Sequence, residues 1–161
     1  MNPRDKLKNR HGTFNQNLFK VNDLKGIGYL LLVEIEVDKT YISLVKDKKT
    51  LVSTSFNIGV EKFNETSIDE FISLRECMHD IAQNDMPVNV IASSYILKNL
   101  NLNYINGFNH KELEVYYNEI NYGNLGDIVD KIKSALIIIL SIMEWSNSYT
   151  VKFLSNDISK N

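Results

Sequence analysis

Residues 126–145 (GDIVDKIKSALIIILSIMEW) constrain the fold more than any other stretch. At roughly 100° per residue, Ile128, Val129, Ile132, Ala135, Leu136, Ile139, Leu140, Ile142 and Met143 share one broad face, as in a helix packed on a core. Asp130, Lys131 and Lys133 keep the other side of the first half wet. The second half differs, because Ile137, Ile138 and Trp145 lie off the main face and need cover of their own. The run from Ala135 to Met143 is too short to span a bilayer, and Ser141 interrupts it, so no membrane association is expected. Cover for the second side could come from the N-terminal segment, from a strand at 149–154, or from another copy of the chain. The third option is preferred, which makes Ile138 and Trp145 candidate contacts for self-association.

Such a helix needs a sheet to pack on, and the first half of the chain supplies one. From Leu30 to Asp38, Val33, Ile35 and Val37 alternate with Glu34, Glu36 and Asp38, the period-two pattern of a strand with one wet face. Residues 40–46 alternate less cleanly, and a polar turn leads to 51–58, where Val52, Thr54, Phe56 and Ile58 share a face. Three strands joined by short polar turns predict an antiparallel meander. Ser67 with Glu70 three residues on is a capping-box start for a helix whose apolar face runs Ile68, Phe71, Ile72, Met78, Ile81. That helix should stop at Asn84-Asp85, ahead of Pro87. Residues 88–92 form a short β-branched strand, and Ser93-Ser94 caps a helical turn. A short strand is expected at 102–105 and another over Lys111–Tyr122, where Leu113, Val115 and Tyr117 alternate with polar neighbours. The order βββ-α-β-β-β-α-β predicts an α+β or mixed α/β fold: an antiparallel three-stranded meander followed by α-β elements, with helices packed on one sheet.

At 161 residues one domain is expected, and with 43% hydrophobic and 24% charged residues it should be ordered over most of its length. The predicted division is a basic N-terminal arm at 1–25, a single globular domain at 26–156 and a polar tail at 157–161. The arm holds six basic residues against two acidic ones, so with a net −2 overall the remainder carries −6. Arg4, Lys6, Lys8 and Arg10 could therefore touch nucleic acid. No signal peptide is apparent in the polar first twenty residues, which points to the cytoplasm, and the Asn, Lys and Ile bias points to a microbial or phage source. The single cysteine, Cys77, reads as a small buried hydrophobe.

The most conspicuous polar feature is the row Glu34, Glu36 and Asp38, whose neighbours on a strand would stand about 7 Å apart on one side. With Asp127 or Asp130 from the last helix, Glu36 or Asp38 could hold a hard divalent cation. The alternative is a solvated face opposed across the hairpin by Lys46, Lys48 and Lys49. Over about residues 30–100 the element order resembles the ribonuclease H-like and actin-like lobes. That resemblance implies a metal- or phosphate-facing aspartate on the first strand, with a glycine-rich turn beside it in the actin-like phosphotransferases. Here the stretch is Glu36-Val37-Asp38-Lys39-Thr40, without glycine, so a phosphate could not approach its backbone closely.

No Gly-x-Ser-x-Gly or phosphate loop is present, and the three histidines lack metal-ligand spacing. Tyr95, Tyr104, Tyr116 and Tyr117 crowd a region rich in asparagine, a composition suited to partner recognition. The primary reading is a non-enzymatic binding or regulatory protein without a cofactor, acting through a protein partner or as a homo-oligomer. The alternatives are a metal-dependent nuclease or phosphotransferase on a ribonuclease H-like sheet, and nucleic-acid binding through the N-terminal arm.

Overall fold

The structure is a computed structural model that describes residues 29–82, 88–97, 107–120 and 128–153. Six strands form one mixed sheet in the order β3-β2-β1-β4-β6-β5. They are β1 (Tyr29–Ile35), β2 (Thr40–Lys46), β3 (Lys49–Phe56), β4 (Val88–Ser94), β5 (Phe108–Asn109) and β6 (Thr150–Phe153). The helices are α1 (Ile68–Ala82), α2 (His110–Glu119) and α3 (Val129–Trp145). The expected meander is present: β1 pairs antiparallel with β2 and β2 with β3. The Asp47-Lys48 turn has positive φ at both residues, the twist a two-residue hairpin requires. Beyond it β4 lies parallel to β1 and β6 parallel to β4, with α1 and α3 in the intervening connections. The sheet is thus antiparallel over β3-β2-β1, parallel over β1-β4-β6 and antiparallel again where β5 pairs with β6 at the far edge, a mixed α/β arrangement.

One face of the sheet carries Leu31, Val33, Ile35, Ile42, Leu44, Val52, Phe56, Val90, Ala92 and Val151. These merge with Leu74, Cys77, Met78 and Ile81 of α1 and with Ile132, Ala135, Leu136, Ile139 and Ile142 of α3 into a single core. Cys77 is buried there, as the sequence implied. Ile138 is not a surface residue: it is 2% exposed within this one chain, and Trp145 is half-buried against the same core. The second side of α3 is therefore covered internally, which removes Ile138 from the candidate self-association surface. At its end Ser146 Oγ donates to the Ile142 carbonyl (2.6 Å) and meets Ser148 Oγ (2.8 Å), closing the turn into β6. Among the described residues no helix is long and apolar enough to cross a membrane.

The main departure from expectation is α2, where the Leu113-Val115-Tyr117 alternation suggested a strand. Leu113, Tyr116, Tyr117 and Ile120 also satisfy i, i+3, i+4, i+7, and all four pack on the core. A complete capping box decides between the two periods. Asn109 Oδ1 accepts from the Glu112 amide (2.7 Å), and Glu112 Oε1 accepts from the Asn109 amide (3.0 Å). The start of α1 has the hydroxyl half of its box, with the Glu70 amide donating to Ser67 Oγ (3.3 Å). The Glu70 carboxylate reaches out to the Asn57 amide and Nδ2 (3.2 and 3.3 Å), tying α1 to the end of β3. The strand expected at 102–105, with Tyr104, lies outside the described residues, as do Asp127 and the arm residues Arg4, Lys6, Lys8 and Arg10.

Candidate functional site

Because β1, β3 and β4 run in the same direction, their carboxyl ends meet at one edge of the sheet, the place where open α/β sheets offer crevices for ligands. Three connecting segments leave from there: the turn 36–39 after β1, residues 57–61 after β3, and residues 95–97 after β4. The acidic row does not form as the alternation suggested. β1 ends at Ile35, and residues 36–39 form a turn closed by the Glu36 amide donating to the Lys39 carbonyl (2.8 Å). Glu34 alone of the three lies on the strand. It is 8% exposed, whereas Val37, expected to face inward, is 40% exposed. The reason is topological: β1 is a central strand whose second face, with Leu30 and Leu32, is buried as well.

The register also disposes of the proposed lysine partners. Glu34 stands opposite Tyr41 on β2 and beside Ser93 on β4, whereas Lys46 pairs with Tyr29 at the other end of the hairpin. There its Nζ sits 4.9 Å from the Tyr29 ring centre. Among the described residues no three His, Cys, Asp or Glu side chains gather closely enough to hold a metal ion. Glu36, Asp38 and Asp130 thus do not gather as a group of three, and Asp127, the remaining candidate, lies outside the described residues.

What does assemble at this edge is a group centred on a residue the sequence analysis passed over, Glu61. Its backbone is fixed against the first turn, since the Val60 amide donates to the Glu36 carbonyl and the Glu61 amide to the Val37 carbonyl (both 3.0 Å). Thr40 Oγ1 donates to the Ile58 carbonyl (2.7 Å) alongside. Gly59 makes this approach possible, because a Cβ there would stand 2.3 Å from both Asp38 Cα and the Val37 carbonyl oxygen. From that anchor the Glu61 carboxylate extends so that Lys131 Nζ of α3 donates to its Oε1 at 3.0 Å. The Tyr95 hydroxyl, from the turn after β4, donates to the same oxygen at 3.4 Å. Burial first, then the negative charges of Glu61 and, more weakly, Glu36 raise the Tyr95 pKa above its ordinary value, against the opposing effect of Lys131. Tyr95 is thus held as a phenol and a hydrogen-bond donor. Ser94, the last residue of β4, is buried and accepts from the Ile96 amide (3.4 Å), the capping role its sequence context implied.

Of the tyrosines singled out from the sequence, Tyr95, Tyr116 and Tyr117 lie within the described residues. Tyr95 belongs to the Glu61 group, Lys133 Nζ lies 5.3 Å from the Tyr117 ring centre on α2, and Tyr116 lines a groove of about 440 Å³ beside Phe108 and Val115. Glu61 carries a sequence signal of its own, a glycine two residues earlier just past the third strand, but only with the first turn placed beside it.

No protein-family model and no curated protein matches this sequence. Solved structures do. A structure of the Aquifex aeolicus Ppx/GppA family member aligns with a TM-score of 0.60 at 14% identity, covering 98% of this chain and 60% of that one. A second study of the Aquifex aeolicus PPX-GPPA enzyme gives 0.59 at 15% identity, covering 89% and 59%. An exopolyphosphatase from Cytophaga hutchinsonii gives 0.59 at 10% identity, covering 81% and 54%. The chain therefore spans somewhat more than half the length of the proteins it matches. At such identities the likeness is one of fold.

Proposed function

We propose that this chain is a phosphoryl-handling lobe, part of a phosphatase acting on phosphoanhydride chains of the polyphosphate kind, with its site at the carboxyl ends of β1, β3 and β4. The observation that carries the reading is the meeting, at that edge, of Glu61, Tyr95 and Lys131 from three separate segments. The fold supports it, since the solved structures that match include a Ppx/GppA phosphatase and an exopolyphosphatase, and this favours the phosphotransferase alternative over a non-enzymatic binding protein.

Substrate contact falls to side chains. The first turn lacks glycine, its Glu36 amide is already donated to the Lys39 carbonyl, and its side chains include Glu36 and Asp38, which repel an anion. Lys131 stands in the first turn of α3, where the helix dipole adds positive potential, and its Nζ, paired with Glu61, is a cation that a terminal phosphate could share. The test is to incubate the full chain with polyphosphate and magnesium, measuring retention of the polymer and release of inorganic phosphate. Both should occur, and Lys131→Met should weaken retention about tenfold, the equivalent of one charge-assisted hydrogen bond. A wild-type protein that neither retains the polymer nor releases phosphate would end this reading.

A further inference from the structure

We propose that Glu61 is a built-in competitor for an anion seat formed by Lys131 Nζ and the Tyr95 hydroxyl, and that a phosphate oxygen binds there by displacing it. The inference rests on the phosphatase reading above and deepens it, because it sets how tightly this edge holds its substrate. Both donors address a single atom: Lys131 Nζ stands 3.0 Å and the Tyr95 hydroxyl 3.4 Å from Glu61 Oε1. They come from separate elements, the first turn of α3 and the turn after β4. An oxygen of a phosphate accepts from the same two donors as the carboxylate oxygen does. Burial is the largest influence that keeps Tyr95 a phenol, and it persists when the Glu61 carboxylate leaves, so the hydroxyl stays a donor to the incoming oxygen.

The resting occupant is held at one end only. Among the described residues no hydrogen bond reaches Glu61 Oε2. The Glu61 side chain is 41% exposed and that of Lys131 42%, a setting in which an ion pair is weak and easily exchanged. The backbone beneath is the opposite. The amides of residues 60 and 61 both donate to carbonyls of the β1–β2 turn, and Gly59 lets the two segments touch. The carboxylate therefore swings into solvent about its own side-chain bonds while its root stays in place, and it returns at a high effective concentration.

A tethered competitor lowers the affinity of any anion for the seat by the fraction of time the seat is open. For an exposed pair such as this one the factor is about fivefold at most. The same competition acts on the product: once inorganic phosphate lets go, Glu61 reclaims Lys131 and Tyr95, so phosphate does not accumulate at the edge.

The experiment measures retention of polyphosphate at fixed ionic strength by wild type, Glu61→Ala, Glu61→Gln, Asp38→Asn, Lys131→Met and the Glu61→Ala/Lys131→Met double variant, with a thermal melt of each. Glu61→Ala should tighten retention about fivefold and Glu61→Gln by part of that, the second carrying the test if the first fails to fold. Asp38→Asn removes a negative charge from the same edge without touching Lys131, and should stay near wild type. Glu61→Ala should gain nothing in the Lys131→Met background, because the seat is gone. Unchanged or weaker retention in the folded Glu61 variants would overturn the inference and leave the phosphatase reading standing, with Glu61 a binding or structural group. An equal gain from Asp38→Asn would also overturn it, since the effect would then be general relief of repulsion. If neither wild type nor any variant retains the polymer, both readings fall together.

Discussion

Gly59→Ala tests the junction on which the whole site depends. A methyl group at residue 59 would sit 2.3 Å from Asp38 Cα and the Val37 carbonyl oxygen, closer than the 3.0 Å that real Cβ atoms respect. Both obstacles are backbone, so no side chain can swing aside. The turn 36–39 and residues 58–61 must separate by close to an ångström, an overpacking cost of about 1–3 kcal/mol. That separation also stretches the hydrogen bonds from Val60 to Glu36 and from Glu61 to Val37, each contributing about 1 kcal/mol. Alanine stiffens the unfolded chain and returns roughly half a kcal/mol of this. The net loss is about 3 kcal/mol, which for a chain of this size lowers Tm by roughly 6–12 °C. Thermal melts and urea titrations followed by circular dichroism read it directly. A midpoint within about 2 °C of wild type would correspond to less than 1 kcal/mol and refute the close backbone packing.

Thr54 is fully buried on the core face of β3, and among the described residues its Oγ1 has no hydrogen-bond partner. Thr54→Val should therefore stabilise the protein by about 1 kcal/mol in urea titrations, and a loss of that size would mean the hydroxyl is satisfied after all. Ile138→Glu should abolish the cooperative melt, because it buries a carboxylate inside the α3 core. A folded variant that merely dissociates an oligomer would restore the self-association reading. For Tyr95 the folded pKa lies above the ordinary tyrosine value, so its contribution to stability is present below that value. It is lost as pH climbs through the raised one. Tyr95→Phe should flatten the alkaline decline in Tm, and an unchanged decline would remove Tyr95 from that titration.

How far the sequence reveals this molecule follows from which signals are local. The meander is legible because alternation and polar turns act within a few residues. The register is not: that β1 lies between β2 and β4, burying Glu34 and Leu32 on its second face, depends on a pairing between strands more than fifty residues apart. Residues 111–117 fit two periods equally well, and alternation is a poor arbiter when the helical set Leu113, Tyr116, Tyr117 and Ile120 is equally apolar. The deciding signal, Asn109 followed by Glu112, was within reach, since the same motif marks the start of α1. The second apolar side of α3 announces in the sequence that it needs cover. Its source could not be read from one helix, because a buried side facing the chain's own core and one facing a second copy carry identical patterns.

The absence of glycine from the first turn takes on a fuller meaning once Gly59 is seen against it. A glycine in the turn would let a phosphate come close to the turn's own backbone. Here the permissive residue stands on the opposing segment, and what comes close is protein: residues 59–61 lie against the turn and take two of its carbonyls. The contact fixes the backbone at Glu61, while the turn's own lack of glycine keeps an anion from its amides. Recognition then has to pass to side chains, and Lys131 and Tyr95 converge on the mounted carboxylate at this edge. The acids Glu36 and Asp38, which looked in the sequence like the start of a metal site, become the hydrogen-bonded turn that holds the mounting in place.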